Sequence, residues 1–285
     1  MYRKRFFFFA ALVGLWLGPA AGQEGASGAF EALKKRLVAD GFAPEAVERL
    51  YARPEVFVEA DGVARFFVHS EAKLDYDQFT TPESIARAKA YLSAHAGLLG
   101  RVEAAFGVER EVITAILLVE SRLGTVTGGR SALNILSTLG ALTDPAFQED
   151  FYRILPAERR ISRERYLERV QKRAEWGYRE LKALLRYAER EGLDPAAIPA
   201  SYAGAVGFAQ FMPTNILAYG EDGDGDGRVD LFAHADAVAS IANYLRRHGW
   251  RPGIDRESRE KAIHAYNPSV YYVNAILAVA ERLRN

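Results

Sequence analysis

Residues 111–124 read Glu-Val-Ile-Thr-Ala-Ile-Leu-Leu-Val-Glu-Ser-Arg-Leu-Gly and indicate the fold class of this chain. Between Val112 and Val119 only Thr114 is polar, so a helix formed by these residues is apolar on nearly every face. Such a helix is expected to lie in the interior of an α-helical domain. Glu120 ends the apolar run and places a carboxyl group at its edge.

Glu120 is the first candidate functional residue. Gly124 follows it by four residues, and its missing side chain is expected to leave room beside the carboxyl group. Burial disfavours the charged form of a carboxyl group, so the sequence predicts a raised pKa for Glu120, as a general acid requires. The alternative is a structural role, in which Glu120 caps a helix or pairs with a distant arginine.

The N-terminus has the pattern of a secretory signal peptide. Residues 3–5 are basic, residues 6–17 form an apolar run, and residues 20–22 are small. We expect cleavage before Gln23 and export of the mature chain. Because the chain has no cysteine, we expect neither a disulfide framework nor a lipid anchor on the mature chain. The predicted organisation is a signal peptide at 1–22, an N-terminal helical and hairpin segment at 23–80, and one larger helical domain at 81–285.

The charge of the chain argues against a nucleic-acid partner. The chain carries 37 basic and 37 acidic residues, and loss of the three basic residues at positions 3–5 leaves 34 against 37, a net charge of −3. No basic patch stands out, so we expect no nucleic-acid partner.

The rest of the chain is predicted to be mainly α-helical. Apolar spacing favours short helices over residues 29–40 and 44–51, and Thr81-Pro82 begins a helix that runs to about Leu99. Val56 to Val68 carries β-branched and aromatic residues around Asp61-Gly62, which predicts a small β-hairpin. Residues 144–191 are highly charged and indicate solvated helices with one buried stripe, without assigned chemistry.

Residues 201–214 mix small, aromatic and polar side chains. Glycines in this segment permit close backbone approach, Ser201 and Gln210 supply hydrogen bonds, and Tyr202, Phe208 and Phe211 offer flat apolar faces. This mixture suits a polyhydroxylated ring, which needs both stacking and directional polar contacts. The alternative is a glycine-rich packing corner between helices.

An Asp-Gly-Asp-Gly-Asp-Gly sequence begins at Asp222 and resembles an EF-hand calcium loop. Asp222, Asp224 and Asp226 supply the first three oxygen ligands, and the main-chain carbonyl of Arg228 supplies the next. Ala233 stands where the loop normally has its bidentate glutamate. Asp236 is therefore expected to close the coordination sphere of a longer loop, with Asp230 as the other candidate. The alternative is a metal-free turn whose aspartates cap their own backbone.

Taken together, these motifs resemble the B-type lytic murein transglycosylases of glycoside hydrolase family 103. The resemblance rests on residues 119–124, 201–213, the aspartate-rich loop, residues 242–250 and Tyr266-Asn267, which occur in the same order as in that family. It implies a lysozyme-like α-helical fold and a periplasmic enzyme whose partner is the glycan strand of peptidoglycan. The residues that match the family's functional positions are Glu120 as the catalytic acid and, along the glycan groove, Ser201, Gln210, Tyr244, Tyr266, Asn267 and Tyr272.

The resemblance also implies a mechanism with a single carboxyl group. Glu120 would cleave the bond between N-acetylmuramic acid and N-acetylglucosamine and then promote closure to 1,6-anhydromuramic acid, without a catalytic cofactor and with calcium in a structural role only. One alternative is hydrolysis by a lysozyme-type muramidase, and another is a non-catalytic peptidoglycan-binding scaffold. Residues 144–191 depart from the family's usual spacing and paired arginines.

Overall fold

The computed structural model describes residues 28–69 and 74–285, so the predicted signal peptide lies outside the described residues. Within them the chain is mainly α-helical, as predicted, and the one regular sheet is a two-stranded antiparallel ribbon. The helices are α1 (Glu31–Ala39), α2 (Pro44–Tyr51), α3 (Ala60–Val68), α4 (Pro82–Ala94), α5 (Ala96–Phe106), α6 (Arg110–Ser121), α7 (Ala132–Ala141), α8 (Pro145–Ile154), α9 (Arg163–Glu191), α10 (Pro213–Tyr219), α11 (His234–Arg247), α12 (Arg256–Tyr266) and α13 (Val270–Arg284). The strands are β1 (Arg130–Ser131) and β2 (Pro199–Ala200).

Helix α6 is the interior helix that the sequence predicts. Every residue from Val112 to Leu118 is buried, and α6 packs against α4, α5, α11 and α13. The helix ends one turn before Gly124, because Arg122 and Leu123 both adopt left-handed backbone conformations, with φ of 49° and 63°. The carboxyl-bearing end of the helix therefore stops sharply at the surface of the core.

Gly124 makes room for two aromatic rings, and the predicted space beside Glu120 stays a prediction. Gly124 lies beyond the helix with φ of 87°, and a Cβ there would lie 3.2 Å from the ring of Phe208 and 3.1 Å from the ring of His234. The missing side chain of Gly124 therefore admits these two rings.

The predicted hairpin at Val56–Val68 was also wrong, because residues 60–68 form helix α3. Val63, Ala64 and Phe67 fall on one helical face and are buried, which satisfies their apolar side chains as well as a strand would. Glu59 caps the helix by accepting a hydrogen bond from the backbone N–H of Gly62 at 3.2 Å. Gly62 permits close helix packing, since a Cβ there would lie 2.4 Å from Ile135.

Helices α7 and α9 form the second layer of the core. All residues of α7 are buried, and α9 presents one apolar stripe to it, as the charge pattern of residues 144–191 predicts. Gly177 marks the closest approach of the two helices, because a Cβ there would lie 2.3 Å from Cβ of Leu139. The break between α4 and α5 falls at His95, before the predicted end at Leu99.

The ribbon joins residues 127–131 to the start of residues 201–214, which are called the glycine-rich segment below. Arg130 pairs with Ala200, and Ser131 pairs with Pro199. Gly128 has φ of 87°, and a Cβ there would lie 2.2 Å from the carbonyl oxygen of Ala200. The backbone around Gly128 therefore lies directly against the start of the 201–214 segment. Across the described residues, no helix combines the length and the hydropathy that crossing a bilayer requires.

Candidate functional site

Glu120 is held by a tyrosine from the other end of the chain. The side chain is half-buried at the end of α6, and the hydroxyl of Tyr272 donates a hydrogen bond of 2.6 Å to its Oε1 atom. Burial, followed by the charge of Glu120, holds the pKa of Tyr272 well above its usual value, so this phenol keeps its proton and acts as a donor. Arg122, two residues after Glu120, donates to Gln78 at 2.7 Å.

A stack of aromatic rings backs this hydrogen bond. The rings of Tyr266 and Tyr272 are parallel with centroids 6.3 Å apart, and Tyr76 meets Tyr272 edge-on at 6.4 Å. The hydroxyl of Tyr266 donates to the carbonyl of Ala209 at 2.5 Å, which ties the tyrosine stack to the glycine-rich segment. Burial and Glu120 also hold the pKa of Tyr266 well above its usual value.

Tyr244 supports the stack from behind. It is only 5% exposed, its hydroxyl donates to the carbonyl of Ala265 at 2.6 Å, and its ring packs against Tyr266 and Phe211. Its polar atom is thus used within the protein. Tyr244 therefore supports Tyr266, and the groove-lining role that the resemblance implies for it stays a prediction.

The side chains of Ser201 and Gln210 form hydrogen bonds with backbone groups of the segment between them. The Ser201 Oγ atom accepts hydrogen bonds from the backbone N–H groups of Ala203 and Ala205, at 3.3 and 3.1 Å. Gln210 adopts a left-handed conformation with φ of 48°, and its Nε2 atom donates to the carbonyls of Gly207 at 2.8 Å and Thr127 at 3.4 Å. Both side chains are half-buried and fixed in place.

Contacts join part of the predicted site: Glu120 to Tyr272, Tyr272 to Tyr266, and Tyr266 to Ala209, the residue before Gln210. The side chains of Ser201, Gln210, Tyr266, Asn267 and Glu120 are all half-buried. Tyr272 is 1% exposed and contacts Glu120 directly, a stronger role than the groove-lining one expected from the sequence.

Sequence reasoning missed one buried carboxyl group that orders this region. Glu180 of α9 is 4% exposed, and its two oxygens accept from the backbone N–H and the hydroxyl of Thr214, each at 2.9 Å. This contact fixes the start of α10 directly after the 201–213 segment. Burial raises the pKa of Glu180, while the two donors from Thr214 oppose that shift. The available signal was an acidic residue on the apolar stripe of α9.

The aspartate-rich loop brings three carboxylates together. Oxygen atoms of Asp222, Asp224 and Asp226 lie within 4.8 Å of one another, the one such grouping found among the described residues. Asp222 accepts from the backbone N–H groups of Gly225 and Gly227, at 2.6 and 2.8 Å. These bonds match the metal-free turn, and they leave oxygen lone pairs that can also bind a cation.

Asp236 stands apart from that grouping. It is 1% exposed, and its two oxygens accept from the backbone N–H groups of Gly223 at 2.8 Å and Asp230 at 2.6 Å. Burial raises the pKa of Asp236, the two N–H groups oppose the shift, and the charges of Asp224 and Asp222 add to it. The side chain of Asp236 therefore closes the loop by accepting from backbone N–H groups of the loop, and its predicted role as a metal ligand stays a prediction.

The loop and the glycine-rich segment are in direct contact. The backbone N–H of Phe208 donates to the carbonyl of Leu231 at 2.8 Å. Gly207 has φ of 72°, and a Cβ there would lie 2.4 Å from Cβ of Leu231. Two residues of α9 hold the same stretch, since Tyr187 donates to the carbonyl of Val229 at 2.8 Å and Glu191 accepts from its N–H at 3.1 Å.

The chain is similar to a curated murein enzyme. The chain is 31% identical over 176 residues to the membrane-bound lytic murein transglycosylase B of Escherichia coli (strain K12). The match covers 62% of this chain and 41% of the relative, so it spans less than half of the relative's length.

Solved structures share the fold. SltB3 from Pseudomonas aeruginosa, solved in complex with NAG-anhNAM-pentapeptide, has a TM-score of 0.70 at 21% identity over 89% of this chain and 78% of that chain. The Escherichia coli lytic transglycosylase Slt35, solved in complex with calcium, has a TM-score of 0.67 at 20% identity over 90% of this chain and 93% of that chain. These likenesses confirm the predicted lysozyme-like α-helical fold.

The family itself is identified by sequence. A family model described as the transglycosylase SLT domain matches residues 25–260. Since this match spans well over half of the 285 residues, the chain belongs to the transglycosylase SLT domain family.

Proposed function

We propose that this protein is a peptidoglycan lytic transglycosylase that cleaves the β-1,4 bond between N-acetylmuramic acid and N-acetylglucosamine. The observation that carries the proposal is the half-buried carboxyl group of Glu120, oriented by the Tyr272 hydroxyl at 2.6 Å and set beside the segment that holds Ser201 and Gln210. Membership of the transglycosylase family and the related murein enzyme of Escherichia coli support the same activity.

In the proposed reaction Glu120 acts first as an acid and then as a base. The protonated carboxyl group donates its proton to the glycosidic oxygen as the bond from C1 to that oxygen breaks. The acetamido oxygen of the muramyl residue stabilises C1. The resulting carboxylate takes the proton of the C6 hydroxyl, and O6 bonds to C1, which gives the 1,6-anhydro product without water. Glu120 ends the cycle protonated, as it began.

The surrounding residues have distinct proposed roles. Tyr272 fixes one carboxyl oxygen, so the proton-carrying group keeps a constant orientation. Ser201 already accepts two backbone hydrogen bonds, and its hydroxyl proton remains available to donate to a sugar oxygen. Tyr266 offers a flat face, and Asn267, beside it in the chain, offers an amide for the acetamido group.

Products distinguish the proposal from its two alternatives. Purified sacculi are digested with the protein, and the released muropeptides are identified by mass spectrometry. A lytic transglycosylase releases products lighter than the hydrolytic ones by the mass of one water, and they carry no reducing muramyl end. Products with reducing ends would instead indicate a muramidase, and an intact sacculus that retains bound protein would indicate a scaffold.

We further propose that the aspartate-rich loop binds a structural Ca²⁺. Asp222, Asp224 and Asp226 offer hard oxygen ligands at close range, and the raised pKa of Asp236 reflects in part the repulsion that a cation would relieve. The main-chain carbonyl of Arg228 is the fourth proposed ligand, and Asp236 holds the loop closed behind it. The calcium complex of the Escherichia coli relative supports this assignment.

Calcium is expected to stabilise the protein without taking part in the reaction. At a free concentration about 100 times Kd, binding adds about 2.7 kcal/mol of unfolding free energy, which raises the thermal midpoint by about 5 °C. Thermal unfolding with calcium and with a chelator measures this shift, and Asp224→Asn should remove it. A thermal midpoint that changes with neither calcium nor the chelator would count against a bound cation.

The final part of the proposal concerns location. The mature protein is proposed to act in the periplasm, with the glycan strands as its partner, and the predicted signal peptide and the proposed peptidoglycan substrate support this location. Fractionation of cells that produce the full chain tests this placement.

A further inference from the structure

Two arginines of helix α9 meet the end of helix α3. Arg169 and Arg173 are four residues apart, so both side chains leave the same face of α9. Nη1 of Arg169 donates to the carbonyl of Phe67 at 3.2 Å, and Nη1 of Arg173 donates to the carbonyl of Phe66. Because these two carbonyls are consecutive in the last turn of α3, the two guanidinium groups lie close together.

The charge of Arg173 has no carboxylate beside it. The side chain is half-buried, and burial, followed by the charge of Arg169, lowers the pKa of Arg173 to about 10, so the group is still protonated at neutral pH. Tyr202 opposes this shift, and no carboxylate of the described residues contributes to it. Arg130 differs in this respect, because Oε1 of Glu59 lies 2.6 Å from its Nη1 atom.

Capping of α3 explains only part of this arrangement. A basic side chain at a helix C-terminus is stabilised by the last carbonyls and by the helix dipole, and Arg169 supplies that interaction from an exposed position. A second guanidinium, half-buried beside the first, adds a cost of desolvation and the repulsion of two like charges. A carboxylate that accepts from both arginines would relieve the repulsion, and the planar fork of a guanidinium matches its two oxygens.

Aromatic rings fix the position of Arg173. Its guanidinium carbon lies 4.2 Å from the ring centroid of Phe66 and 5.0 Å from that of Phe67. The rings of Phe66 and Trp176 are in turn 5.2 Å apart. The guanidinium is therefore preorganised, which lowers the entropy cost of binding an anion.

The arginine pair is connected to the glycine-rich segment through His69. The hydroxyl of Tyr202 lies 2.7 Å from Nδ1 of His69. His69 follows Phe67 by two residues, and Tyr202 directly follows Ser201. Two residues span at most about 7 Å, and an extended pentapeptide spans about 17 Å. A peptide attached to a muramyl sugar beside Ser201 can therefore reach Arg169 and its neighbour on α9.

We propose that Arg169 and Arg173 bind a free carboxylate of the peptidoglycan stem peptide. The inference rests on the proposed function, since peptidoglycan supplies the peptide. The stem carries the carboxylates of this substrate, because the N-acetylated sugars are neutral once the lactyl group of the muramyl residue is joined to the peptide as an amide. The protein is then expected to prefer glycan strands that keep their stems, and stems whose carboxylates are not amidated.

Binding to the Glu120→Gln protein tests the proposal without cleavage. Calorimetric titrations compare three ligands: a muramyl disaccharide with a stem whose carboxylates are free, the same ligand with these carboxylates converted to primary amides, and the disaccharide without peptide, its lactyl group also a primary amide. Amidation of the stem should weaken binding about tenfold, since it removes a charge-assisted hydrogen bond. Adding Arg173→Gln should cause the same loss for the free-carboxylate ligand and leave the other two affinities unchanged.

Arg186→Gln is the matched control, because it removes a positive charge from an exposed position of the same helix, about 20 Å farther along. It should change none of the three affinities. Arg169→Gln alters an exposed side chain and provides the same test if the Arg173→Gln protein does not fold. It should weaken only the free-carboxylate ligand, about threefold.

Equal affinity for the free and amidated ligands would overturn the assignment. An arginine substitution that weakens all three ligands equally would also overturn it, since the arginines would then act only by holding α3. If the free and amidated ligands bind equally and sacculi yield anhydro products, only the arginine assignment fails. If no ligand binds and no sacculus is cleaved, the proposed function fails with it.

Discussion

Glu120→Gln is expected to lower the rate of sacculus cleavage by about 10³-fold or more, because one carboxyl group is proposed to serve as both acid and base. An amide can neither donate the proton to the leaving oxygen nor accept one from the C6 hydroxyl. The substitution keeps the shape of the side chain and an oxygen that can accept from Tyr272, whose hydroxyl lies 2.6 Å from Oε1 of Glu120. Turnover on purified sacculi, measured as soluble muropeptide released, gives the rate.

Binding to sacculi should survive this substitution, since the hydrogen-bonding groups of Ser201 and Gln210 are unchanged. Glu111→Gln is the matched control, because it removes a carboxyl group from the same helix at its opposite end. It should retain normal turnover. A Glu120→Gln protein that still cleaves at more than about a tenth of the normal rate would show that another group acts as the acid.

The interior of the fold could be predicted because its signals are local. Residues 112–118 are apolar except for Thr114, and such a run is expected to be buried. Thr81 and Pro82 mark a helix start that the structure reproduces, with Thr81 accepting from the N–H of Ser84 at 3.3 Å. These signals depend on neighbours in sequence, and long-range packing does not change them.

The hairpin prediction failed because its signal was ambiguous. Val63 and Phe67 suit a strand by type, but their spacing of four also places them on one face of a helix. The decisive contact is the close approach of Gly62 to Ile135, seventy-three positions away in the chain. The Asp61-Gly62 pair was interpreted as a turn, whereas the glycine serves helix packing.

The candidate site was only partly predictable for a similar reason. The sequence indicates which residue types gather there, but not which polar atoms are used within the protein. The hydroxyl of Tyr244 donates to the carbonyl of Ala265, and both carboxylate oxygens of Asp236 accept from backbone N–H groups. Glu180 was overlooked because its partner Thr214 is thirty-four residues away and no local pattern joins them.

Contact between the aspartate-rich loop and the glycine-rich segment leaves no room for a side chain at Gly207. Its φ of 72° disfavours any side chain, and a Cβ would lie 2.4 Å from Cβ and 2.5 Å from the carbonyl oxygen of Leu231. The same carbonyl accepts the N–H of Phe208 at 2.8 Å, so Leu231 cannot retreat without breaking that bond. Strain and overlap therefore act together at this position.

Gly207→Ala is thus expected to lower the unfolding free energy by about 2–4 kcal/mol and to displace Gln210, whose Nε2 atom donates to the Gly207 carbonyl at 2.8 Å. Urea unfolding measures the first effect, and turnover on sacculi below the unfolding transition measures the second. Gly41→Ala separates strain from overlap, because Gly41 has φ of 95° but no atom within 4 Å of its Cβ position. It should cost about 1 kcal/mol and leave turnover unchanged. Equal losses of stability for the two variants would mean that Leu231 moves freely. The aspartate-rich loop would then not fix the position of the residues proposed to bind the glycan.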